Sequence, residues 1–75
     1  RKPLQNRLAK VEKDLAQVST QLRELDARLA DPAFYHSGDA DEVAAAIKRR
    51  GELAPKLETL EEQWLAIQTE LEAIQ

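Results

Sequence analysis

Leu4, Leu8, Val11, Leu15, Val18, Leu22, Leu25 and Leu29 follow one another at spacings that alternate four and three without a break. An apolar residue about every 3.5 positions is a heptad seam, a stripe too narrow for a broad globular core and suited to one partner helix packed knobs into holes. A second stripe, Leu53, Leu57, Leu60, Trp64, Ile67, Leu71 and Ile74, repeats the alternation, and its register extends back through Arg50, Ala46 and Val43. Two matched stripes joined by a short connector predict an all-α fold, a two-helix antiparallel intramolecular coiled-coil hairpin that is one domain and a monomer.

The residues between the stripes set the helix ends. Asp31-Pro32 stops the first helix, because the residue before a proline is pushed out of the α region, so helix 1 should cover about 4–30. The connector 31–39 reads DPAFYHSGD, in which Asp31 can cap a short turn and Gly38 can take positive φ. Asp39 with Glu42 forms a capping-box-like start, placing helix 2 at about 40–75. Pro55 removes the donor that would serve the carbonyl of Gly51, which predicts a kink or a brief break near 51–55.

An apex near residues 37 and 38 pairs Leu4 with Leu71, Val11 with Trp64, Val18 with Leu57, and Leu22 with Leu53. In that register Arg7 approaches Glu70, Arg28 approaches Arg49, and Arg50 takes a seam position opposite Leu25. A charged side chain there must reach water or find an anion. Trp64, spaced as a seam residue, is expected in the core with its indole nitrogen at the rim. Phe34 and Tyr35 are expected to fold back over Leu29, Val43 and Ile47 as an apolar cap; the alternative is that they stack on nucleic-acid bases.

Composition narrows what such a hairpin can do. Among 75 residues, 33% are charged and 4% aromatic, a balance that belongs to long helices. There is no Cys, hence no disulfide framework and no thiolate metal site. The longest apolar run, Val43 to Ile47, is far below the roughly 20 residues that span a bilayer, and Arg1 to Ala16 has no signal-peptide core. These features predict a cytoplasmic chain without membrane contact. The absence of Met and the start at Arg1 predict a segment of a longer protein.

Catalysis finds no residues to use. His36 is a lone loop histidine, read as solvated, and no Gly-rich phosphate loop or GKS/GKT sequence occurs. We therefore expect no catalytic residue, no metal site and no cofactor in this segment. The acid pair Glu61-Glu62 reads as exposed helix surface. The formal net charge of -3 weighs against a polycation that coats nucleic acid.

Local charge points elsewhere. Arg23, Arg28, Lys48, Arg49 and Arg50 all belong to the half of the hairpin nearest its tip and are the candidate nucleic-acid-binding residues. Glu24, Asp26, Asp31, Asp39, Asp41, Glu42 and Glu52 lie nearby, so attraction for phosphate must come from clustering on one face, and the run Lys48-Arg49-Arg50 is the clearest cluster. A weaker basic run, Arg1, Lys2, Arg7, Lys10 and Lys13, decorates the open end beside Glu70 and Glu72.

A heptad helix ending in Leu29-Ala30-Asp31-Pro32 with Phe34-Tyr35, followed by an Arg-rich second helix carrying Glu62-x-Trp64, resembles the C-terminal coiled-coil domain of ABC-F ATPases. These are Uup- and YheS-like proteins with tandem ABC cassettes in one chain. The resemblance implies that ATP and Mg are handled by cassettes outside this segment, which would be an accessory arm for nucleic acid, DNA or ribosomal RNA, and could also contact its own cassettes; the alternative is a structural spacer, or a coiled coil that docks onto protein or pairs with a second chain. It assigns no individual contact residue, so the five cations rest on local charge alone.

Overall fold

The computed structural model describes residues 2–37 and 39–74, with Ser37 described by its backbone only. Three helices follow in order: α1 (Lys2–Ala30), α2 (Pro32–Ser37) and α3 (Ala40–Ile74), and no strand occurs among the described residues. The all-α hairpin is the observed fold, with α1 packed along α3.

Local chemistry explains the helix ends. The Asp31 amide donates to the Arg28 carbonyl at 3.1 Å, closing α1. Asp31 then caps α2: its Oδ1 accepts the Ala33 amide at 3.0 Å and its carbonyl accepts the Phe34 amide at 3.1 Å. Pro32 follows at the position where a missing amide hydrogen costs nothing. The stretch read as a connector thus winds six residues into a helix of its own. Asp39 repeats the device, accepting the Asp41 amide on Oδ1 and the Val43 amide on its carbonyl, both at 3.1 Å. Asp41 and Glu42 in the first turn of α3 complement the helix dipole. Gly38, where positive φ was expected, lies outside the described residues.

α3 runs without interruption through Gly51 and Pro55, so the brief break does not form. Both residues are exposed, and solvent can satisfy the Gly51 carbonyl that Pro55 leaves without a donor.

The core is a single seam. Val11, Val18, Leu22, Leu53, Leu60 and Ile67 are buried, with Leu8, Leu15, Leu25, Leu57, Trp64 and Leu71 packed against them. Leu53 is 1% exposed, and no polar or charged side chain is buried among the described residues. The molecule is a rod of 55 × 15 × 14 Å. Its accessible surface of 5658 Å² exceeds the about 4,700 Å² expected for a compact globule of its mass, as one layer of packing requires.

Candidate nucleic-acid interface

The five candidate cations do not share one face. Each residue of an α-helix turns the side-chain direction by about 100°, so the run Lys48-Arg49-Arg50 fans out around α3 and is not a cluster, contrary to the linear reading. Arg23 and Arg50 border one groove between the helices, together with Ser19, Leu22, Asp26, Ala54 and Leu57. Arg28 and Arg49 border another, with Gln21, Glu24, Leu25 and Leu53, on the opposite side of the seam. Lys48 borders neither groove: it lies about 200° around α3 from the buried Ala46, on the side turned away from α1.

Their electrostatic situations differ as well. Arg50 meets Asp26 across the hairpin through its Nε, so the anion its seam position demands is supplied by the protein itself. Arg49 pairs with Glu52 at 3.5 Å within α3, and both side chains are about half exposed. Arg23, Arg28 and Lys48 make no ion pair among the described residues. The Arg28–Arg49 juxtaposition expected from the register is therefore present as a shared groove, in which Glu24 is the neighbouring acid.

Other cross-hairpin contacts support the register. The Trp64 indole Nε1 donates to Glu12 Oε2 at 3.1 Å while the ring packs against the core, placing the nitrogen at the rim. Trp64 beside Glu12 and Arg50 beside Asp26 put the helices within a residue or so of the expected pairing. Arg7 and Glu70 form no ion pair among the described residues; Lys10 pairs with Asp14 at 3.6 Å within α1. Helix neighbours four apart need no cross-strand reach, which favours the local partner.

The aromatic cap forms only in half. Phe34 is half-buried and borders a groove with Leu25, Arg28, Glu42, Ala45 and Ala46. Tyr35 and Ile47 stay 49% and 53% exposed. Because α2 is helical, Phe34 and Tyr35 point in different directions and only one can face the hairpin. Ile47 is missed because Phe34 meets α3 on the Ala45 side of the seam. The Asp31-Pro32 pair at the start of this segment, which can cap a turn, is also the sequence signal for α2.

Among the described residues no group of three His, Cys, Asp or Glu side chains is arranged to hold a metal ion. No described helix is long and apolar enough to cross a membrane. A family model described as the ABC transporter C-terminal domain matches residues 2–69, nearly the whole chain. No curated protein and no solved structure matches it.

Proposed function

This chain belongs to the ABC transporter C-terminal domain family, and on that premise we propose that it is the nucleic-acid-binding accessory arm of an ABC-F ATPase, acting through the groove between Arg28 and Arg49. The chemistry of ATP and Mg belongs, in this reading, to cassettes elsewhere in the parent protein. The partner is DNA or ribosomal RNA.

The observation that carries the reading is that two arginines from different helices, Arg28 and Arg49, border one groove, Arg28 making no ion pair among the described residues. Two cationic side chains on one groove favour an anion there, and guanidinium forks match phosphate oxygens. The Arg49–Glu52 pair is exposed enough to contribute at most about 1 kcal/mol, so Arg49 can exchange Glu52 for phosphate. Binding would be largely independent of sequence and driven by release of counterions.

The test is a titration of the chain with duplex DNA and structured RNA at rising salt. Two phosphate contacts predict about tenfold loss of affinity between 50 and 200 mM salt. The double variant Arg28→Glu/Arg49→Glu should lose binding with its helicity intact, whereas Arg23→Glu on the opposite face should change it far less. Unaltered binding by the double variant would remove this reading.

One observation favours a second role, docking to the parent's own cassettes or to another protein. Leu65 is 61% exposed on a stretch of α3 where Glu58, Glu61, Glu62, Glu70 and Glu72 have no cation among them. Loss of such docking in Leu65→Ser, with nucleic-acid binding unchanged, would establish it.

A further inference from the structure

The side of the hairpin across the seam from the Arg28–Arg49 groove carries a pattern of its own. Ala54 borders the groove that contains Arg23 and Arg50. Ile47 and Glu61 stand seven residues before and after it, and positions seven apart share one side of a heptad helix. Glu58 and Leu65, which follow Ala54 and Glu61 by four residues each, extend the same flank outward. Ile47 is 53% exposed and Leu65 61%, so the flank presents a large apolar side chain toward each end.

The two are placed symmetrically. Lys56 is midway between Ile47 and Leu65, and Leu57 is midway along α3. A second hairpin turned end for end about that middle therefore overlaps the rod along nearly its whole length and sets Ile47 of each copy on Leu65 of the other. Charge follows the same rule. Arg23 and Arg50 lie on the tip side of the middle and Glu58 and Glu61 on the open side, so the end-for-end arrangement brings the cations of each copy to the acids of the other, whereas a parallel one sets cations level with cations. Arg23, Glu58 and Glu61 make no ion pair among the described residues, and the Arg50–Asp26 pair is half exposed and can be shared. One side of a rod 55 Å long and 15 Å wide offers about 800 Å², the area that each partner contributes to an ordinary stable interface.

We propose that this flank is a self-complementary docking surface whose occupant is a second copy of the chain, packed antiparallel with both hairpins intact to form a four-helix bundle. The proposal rests on the docking role read for Leu65 and names its partner. It leaves the Arg28–Arg49 groove open to nucleic acid.

Sedimentation equilibrium of the 75-residue chain at rising concentration should reach the mass of two 8.5 kDa chains. Ile47→Ser and Leu65→Ser should each weaken association at least about tenfold, with helicity unchanged because both side chains are exposed. Orientation is read by cross-linking, since the chain has no Cys of its own. Ile47 and Leu65 lie about 27 Å apart along one helix, too far for a disulfide within a chain. Oxidation of an equal mixture of Ile47→Cys and Leu65→Cys chains should join one of each, identified by mass, in preference to like pairs. The mass of a single chain up to millimolar concentration overturns the proposal and leaves Leu65 to the parent's cassettes or another protein. A dimer that neither serine variant weakens, or one in which like pairs cross-link as readily as unlike, overturns it as well.

Discussion

Gly51 lies in the interior of a 35-residue helix, and an added Cβ there would meet nothing within 4 Å. Alanine at this position should therefore stabilise the chain by about 0.5–1 kcal/mol, mostly by restricting the unfolded state. Thermal unfolding followed by helix circular dichroism should show a rise in Tm of several degrees. A fall would mean that the Gly51–Pro55 turn needs a bend that alanine resists. Trp64 gives a second test at this scale, because its indole joins the two helices through Glu12. A double-mutant cycle between Trp64→Phe and Glu12→Gln should return a coupling of about 0.5–1.5 kcal/mol. Coupling near zero would show that the contact is not maintained in solution.

Each helix end is a separate element-level commitment. Asp39 satisfies the start of the long α3, so Asp39→Ala should cost about 1 kcal/mol, measured by urea unfolding, while the same change at Asp31 should mainly loosen the six-residue α2. Equal effects of the two would show that α2 is integral to the hairpin. Both long helices were legible in the amino-acid sequence because a period near 3.5 is a property of the chain itself, and Leu4 to Leu29 and Leu53 to Ile74 keep it with little interruption. The candidate cations could be named from the sequence by residue type and by their nearness to the tip. How the cations divide among faces was not, since three consecutive residues such as Lys48, Arg49 and Arg50 adopt three directions once wound into a helix. The partner that Arg50 finds in Asp26 and the separation of Phe34 from Tyr35 likewise depend on angles around the seam, to which linear spacing is blind.

As a whole the molecule is a thin rod whose stability depends on one row of contacts. A core this small supplies only about 3–5 kcal/mol net, and truncating its most buried side chain by Leu53→Ala should remove about 2–5 kcal/mol. That variant should lose most of its helical circular dichroism near room temperature, whereas a folded Leu53→Ala chain would show that the seam is not the main source of stability. The same rod separates the tip, with Arg28 and Arg49, from the open end, with Trp64 and Glu12. Mapping backbone amide shifts while a short oligonucleotide is added at low salt is the most direct test of this arrangement. Shifts concentrated at Arg28 and Arg49, with the amides around Glu12 and Trp64 unmoved, are the predicted result; shifts confined to the open end, or absent throughout, would contradict it.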